Sequence, residues 1–180
     1  MEKDLGITVK SVIEEHGIDA RLIELEITES SIMSNTEEAQ RTLTYLNNLG
    51  VSLAIDDFGT GYSSLGYLRR FPLDSLKIDR SFIRDITTNI DDATITRAII
   101  GMAHNLNLKV VAEGVETEAQ VAFLAANACD DIQGYYFARP LQAGDCEQFL
   151  RENRRLVRPT ALAGSDAPTI LLVDHEEGAT

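Results

Sequence analysis

The chain has 180 residues, enough for one domain and a piece of a second. Its 16 basic against 29 acidic side chains leave a net charge of −13, which argues against DNA as a partner, because phosphate backbones are held by Lys and Arg. An apolar share of 44% is too high for a disordered chain, no uncharged apolar run approaches the ~18 to 20 residues of a membrane helix, and the start MEKDLGITVK has no signal-peptide core.

Along the chain, short β-branched runs alternate with helix-period segments. The first run is Leu22–Ile27 (LIELEI). A helix is predicted to begin near Asn35–Thr36, with Ala39, Leu43 and Leu46 on one face and Gly50 as its stop. The next runs are Val51–Asp56 (VSLAID) and Ser75–Asp79 (SLKID). A helix follows over about Asp91 to Asn107, with Ile95, Ile99, Met102 and Leu106 expected to face inward. After Lys109–Glu113 (KVVAE), a third helix follows Thr117 with Val121, Leu124, Ala125 and Ala128 inward. The last run is Ile132–Tyr135 (IQGY), and a final helix follows Gly144 and Asp145 with Cys146, Phe149 and Leu150 inward. Residues 157–168 (VRPTALAGSDAP) have linker composition. The segment 169–180 opens with TILLVDHEEG, an apolar strand running into acids that is similar to the first strand of a receiver-like domain. His16 and His104 read as helix-end and helix-surface residues.

The five runs start 29, 24, 34 and 23 residues apart, near the ~30 residues of a strand, helix and crossover. That alternation predicts an α/β fold with a parallel sheet covered by helices. An open sheet and a (β/α)8 barrel both fit the spacing. The FGTGYSS segment after Asp57 lacks the third glycine of a dinucleotide loop and the lysine of a P-loop. A barrel takes about 250 residues and eight strands, so a barrel reading makes this its last part, a partial TIM-type barrel of about five βα units with the N-terminal strands absent. Cys129 and Cys146 make no disulfide scaffold and no zinc spacing, so a cytoplasmic location is expected.

Acidic residues gather where the runs end: Glu26 with Glu29, the pair Asp56–Asp57, Asp79, and Glu113 with Glu116. In barrel enzymes the site is built at those ends and in the loops after them. Carboxylates converging there repel unless cations hold them together, and hard oxygen donors suit Mg²⁺ or Mn²⁺ rather than zinc. Each residue also has a plain structural role open to it. Glu26 and Glu29 fit a solvent edge and a helix N-terminus, Asp56–Asp57 a turn, Lys77 a snorkelling side chain, Glu113 and Glu116 a helix preamble, and Gln133 a satisfied polar residue. Their shared placement is what favours a site.

Four motifs, IELEITES at Ile23–Ser30, AIDDFGTGYSSLGYLRRFPLDSLKIDRSFI at Ala54–Ile83, VVAEGVET at Val110–Thr117 and QGYYFARPL at Gln133–Leu141, stand in this order. The chain resembles the EAL-domain family, bacterial cyclic di-GMP phosphodiesterases with a barrel fold, and the likeness assigns 1–156 to the C-terminal part of such a domain. The Glu-Ala-Leu signature and the Asn on the next strand would lie before Met1. The resemblance implies two divalent cations, Mg²⁺ or Mn²⁺, with Glu26 on the first, Asp56 bridging, and Asp57 and Glu113 on the second. It implies catalytic roles for Glu113 as general base, for Lys77 as the charge beside the attacking water, and for Glu116 in support. Gln133 is implied near the nucleotide, with Arg139 and Pro140 near a guanine, and Glu29 is implied to anchor the loop from Asp57 to Ser64. The reaction implied is hydrolysis of cyclic di-GMP to linear pGpG, with two cations clamping the attacking and leaving oxygens.

With the upstream ligands outside it, this chain alone is expected to show little activity. Its bare sheet edges predict a homodimer or another chain completing the barrel. A non-catalytic cyclic di-GMP-binding or protein-interaction module is the alternative reading.

Overall fold

A computed structural model describes residues 4–33, 35–59, 65–152 and 169–170. The elements run α1 (Leu5–His16), a 3-10 turn (Ala20–Leu22), β1 (Glu24–Thr28), α2 (Glu29–Met33), α3 (Thr36–Asn48), β2 (Ser52–Phe58), α4 (Leu65–Leu68), β3 (Ser75–Ile78), α5 (Arg80–Arg84), α6 (Ile90–Asn105), β4 (Lys109–Ala112), α7 (Glu118–Ala126), β5 (Asp131–Ile132), α8 (Ala143–Arg151) and β6 (Thr169–Ile170). Strand order in the sheet follows chain order, and β1–β2, β2–β3, β4–β5 and β5–β6 pair in parallel. This is the α/β alternation expected from the spacing. No helix among the described residues is long and apolar enough to cross a membrane.

Two compact units divide the chain. The first holds Met1–Asp79 and Gly101–Val110. Strands β2 and β3 are buried on both faces, as parallel strands under helices are: Leu53, Ala54, Ile55, Leu76 and Ile78 are all fully inaccessible, whereas β1 is mostly half-buried. The helix α3 forms where its sequence says it should. Asn35 caps it, accepting from the Glu38 N–H at 3.4 Å and donating Nδ2 to the Glu38 carboxylate at 2.8 Å. Ala39, Leu43 and Leu46 are buried along one stripe. Helix α1 was not legible in advance. Its apolar Ile7 and Val12 point to solvent, and its buried residue is Gly6, at which a Cβ would lie 2.7 Å from Tyr45 Cδ1. The contact with α3 therefore depends on the lack of a side chain at Gly6, while Leu5, Val9 and Ile13 are half-buried at i, i+4 spacing.

The second unit holds Arg80–Ile100 and Val111–Thr180. Helix α6 corrects the expected inward face. Ile95 is exposed, whereas Ile99 is buried as expected, Met102 and Leu106 are half-buried, and Ala93, Thr96 and Ile100 are buried as well. In α7, Val121 and Leu124 are buried as expected, whereas Ala128 is exposed and lies beyond the helix end. Leu150 of α8 is also exposed, and Phe149 instead meets Phe137 edge-on, ring centroids 5.4 Å apart. Strand β5 lies one step earlier than Ile132–Tyr135, because the chain turns after Gln133, with the Phe137 N–H bonded to the Gly134 carbonyl at 3.1 Å. In the 169–180 segment, Thr169–Ile170 pair with Asp131–Ile132. The linker 157–168 and residues 171–180 lie outside the described residues.

Candidate functional site

In the first unit, site residues are held by charge. The parallel register of β1 and β2 sets Glu26 opposite Ala54 and Thr28 opposite Asp56. Both acids reach the same cation on β3. Lys77 Nζ lies 2.5 Å from Glu26 Oε1 and 3.6 Å from Asp56 Oδ1, with the lysine side chain 1% exposed. An ammonium so far from water is tolerable only beside opposite charge.

Asp57 departs from regular strand geometry. On a flat strand, adjacent side chains point to opposite faces. Here the β2–β3 register shifts between Ile55 and Phe58, and Asp57 has φ 54°, a left-handed value uncommon for residues other than glycine. Its N–H donates to Asp56 Oδ1 at 2.9 Å, and carboxylate oxygens of the two aspartates come within 4.8 Å of each other. A bulge thus turns two neighbours toward a common point. Local strain of this kind concentrates at functional sites. The donors assembled here are hard, anionic oxygens, a set that fits a divalent metal ion such as Mg²⁺ or Mn²⁺ and fits soft metals poorly.

Two residues before Glu26, Glu24 accepts from Ser75 Oγ at 3.1 Å. Burial pushes its carboxyl above the ordinary range, the Ser75 hydrogen bond opposing that. Glu29 opens α2 and is buried, and both of its carboxylate oxygens lack a hydrogen-bond partner among the described residues. Residues 60–64 of the loop it was expected to anchor lie outside the described residues.

In the second unit, site residues are held by the main chain. Glu113 directly follows β4, and the peptides after it are pinned to the end of β5. The Gln133 N–H donates to the Ala112 carbonyl at 2.8 Å, Val115 N–H to the Gln133 carbonyl at 3.0 Å, and Tyr136 N–H to the Val115 carbonyl at 2.9 Å. Two glycines make this approach possible. A Cβ at Gly134 would lie 2.2 Å from the Val115 carbonyl oxygen, and one at Gly114, whose φ is +67°, would lie 2.7 Å from Arg80 Cβ. Glu113 and Gln133 therefore occupy one knot of backbone, and Gln133 Oε1 is buried in it without a hydrogen-bond partner among the described residues.

Glu116 is exposed, as are Arg139 and Pro140. The Arg139 guanidinium stacks over the Tyr135 ring, 5.1 Å from its centroid. Tyr135, Gly134, Glu24 and Gln120 take part in these arrangements without having been singled out from the sequence. For Gln120 a signal existed, since Thr117-Glu-Ala-Gln120 has capping-box spacing. The other three carry no pattern of their own.

Comparison with known proteins places this geometry. The EAL domain family matches residues 2–140. The chain is 56% identical over 146 residues to the cyclic di-GMP phosphodiesterase NbdA of Pseudomonas aeruginosa, a match covering 81% of this chain and 19% of NbdA. It superposes on the EAL domain of Mycobacterium smegmatis DcpA with a TM-score of 0.80 at 40% identity, covering 85% of this chain and 69% of that one. A manganese and cyclic di-GMP complex of Klebsiella pneumoniae BlrP1 matches with a TM-score of 0.69 at 32% identity, over 77% of this chain and 35% of that one. The chain spans about a fifth of the length of curated relatives it matches. With the family's motifs on the strand ends and its fold in the structure, the chain belongs to the EAL domain family.

Proposed function

We propose that the protein carrying this chain hydrolyses cyclic di-GMP to linear pGpG with the help of two divalent cations, Mg²⁺ or Mn²⁺. One observation carries the reading: Glu26 and Asp56, on neighbouring strands, converge on the buried Lys77. A fold-stabilising ion pair has no need of two acids at strand ends beside a bulged Asp57. NbdA is named for this activity, and a BlrP1 structure holds manganese together with cyclic di-GMP.

The residues take the following parts. Glu26, Asp56, Asp57 and Glu113 would hold the cations, with Asp56 shared between them. When bound, the cations supply positive charge for the phosphoryl oxygens and ease deprotonation of the attacking water. Hydrolysis forms one P–O bond from water and breaks one P–O bond to a ribose 3′ oxygen, and the departing alkoxide takes up a proton. Glu113 would accept the proton of the water. Lys77 contributes a fixed ammonium where negative charge gathers, already in place and away from bulk solvent. Gln133 would donate to the nucleotide, Arg139 and Pro140 would lie beside a guanine, and Glu116 would support Glu113 from the same loop. Glu29 would hold the segment that follows Asp57.

The decisive experiment incubates the protein in its full natural length with cyclic di-GMP and Mn²⁺ or Mg²⁺ and follows pGpG by chromatography. Linear product that disappears with EDTA supports the proposal. Tight binding of cyclic di-GMP without product would overturn it in favour of a receptor.

A further inference from the structure

Gln120 is 5% exposed and uses its side-chain amide on both sides. Oε1 accepts from the N–H groups of Glu116 at 2.7 Å and Thr117 at 2.9 Å. Nε2 donates to the carbonyls of Ile83 and Arg84, each at 3.1 Å. A helix cap needs only the first pair. The second pair reaches two carbonyls at the end of α5, of which that of Ile83 also accepts from the Ile86 N–H at 3.4 Å. One buried amide therefore ties together four main-chain groups from two separate segments.

Those segments border the Glu113 turn. Ala112 before Glu113 and Val115 after it are both fastened to the end of β5. On one side, Gly114 rests against Arg80 at the start of α5. Downstream, Glu116 and Thr117 are fastened by Gln120 to the end of the same helix. With four residues between Ala112 and Thr117, the Glu113 backbone has no free end about which to swing.

We infer that Gln120 is a positioning residue for Glu113, acting through the Glu116 and Thr117 peptides and α5. The inference rests on the metal-binding role proposed for Glu113. Groups that orient a ligating carboxylate from behind typically change metal affinity about 10- to 100-fold when removed.

The test is Mn²⁺ binding, followed by calorimetry and by the electron spin resonance of free Mn²⁺, on the full-length protein and three variants, with Tm measured on each. Gln120→Ala removes all four bonds. Gln120→Glu keeps the acceptor for Glu116 and Thr117 but sets an oxygen against the Ile83 and Arg84 carbonyls, so it reads the link to α5 should Gln120→Ala fail to fold. Thr117→Ala removes the hydroxyl that accepts the Gln120 N–H at 3.3 Å, leaving the amide bonds in place. The expected result is about tenfold weaker Mn²⁺ binding in both Gln120 variants and a change under twofold in Thr117→Ala, although all three lower Tm. Unchanged Mn²⁺ affinity in a folded Gln120 variant reduces Gln120 to a cap and overturns the inference alone. Absence of Mn²⁺ binding in the unsubstituted protein removes the metal role of Glu113 and the inference with it.

Discussion

The two units hold their site residues by opposite means. Around β1–β3, the carboxylates of Glu26 and Asp56 are fixed by a buried ammonium, and the one irregularity is the bulge that redirects Asp57. Around the β4 and β5 ends, Glu113 and Gln133 are fixed by neutral peptide hydrogen bonds and by two glycines that admit close backbone contact. A charge-held site tolerates backbone movement but not loss of a charge. A backbone-held site tolerates a change of side-chain chemistry nearby but not an added methyl group.

That contrast can be broken by substitution. Asp56→Asn removes the acid proposed to be shared by two cations. It should lower kcat/KM by about a thousandfold or more, because losing charge stabilisation of several kcal/mol costs a factor of ten per ~1.4 kcal/mol. Steady-state assay of pGpG formation checks this, and activity within tenfold of the unsubstituted enzyme would contradict the assignment. Lys77→Met keeps the length of the side chain and deletes the ammonium. The expected loss in kcat is about 10²- to 10³-fold, with about 2 to 4 kcal/mol of stability lost because the buried Asp56 and the half-buried Glu26 are left without a counter-charge. Urea titration reads the stability arm, and stability should partly return in Lys77→Met combined with Glu26→Gln.

In the backbone-held unit, Gly134→Ala pushes a methyl into the Val115 peptide and should destabilise by about 3 kcal/mol, visible as a lower urea midpoint. Gly114→Ala meets a side-chain carbon of Arg80 instead, and adds the cost of a left-handed backbone to a smaller clash. About 1 to 2 kcal/mol is expected, and Gly114→Asn should recover none of the clash. The smallest effect concerns the thiols. Burial pushes the Cys129 thiol up to about 12, so it stays protonated and unreactive at neutral pH, whereas Cys146 is half-buried. A thiol reagent at pH 8 should label one cysteine quickly and the second only in denaturant.

The same contrast explains what could be read in advance. Charged residues at strand ends announce themselves, so Glu26, Asp56, Asp57, Lys77 and Glu113 stood out from composition and position before any coordinates. The strands were found because parallel strands buried on both faces are continuous apolar runs, as Leu53–Ile55 and Val110–Ala112 are. Interactions made by the main chain leave no such trace. Nothing in the letters of Gln133-Gly-Tyr says that the glycine must be bare so that Val115 can approach. Helix α1 was missed in part for a similar reason, since its buried residue is Gly6 and its Ile7 and Val12 are exposed, although Leu5, Val9 and Ile13 are half-buried at helical spacing. On α6 the expected stripe holds at Ile99 and fails at Ile95, because the buried seam runs through Ala93, Thr96, Ile99 and Ile100.

The Lys77 arrangement also constrains how this sequence can drift. One ammonium serves two carboxylates on neighbouring strands, so loss of Lys77 strands both acids and loss of both acids strands Lys77 in the interior. Positions 26, 56 and 77 should therefore vary together across descendants of this sequence. A lineage that lost this cluster would be expected to replace all three in company rather than erode them one at a time.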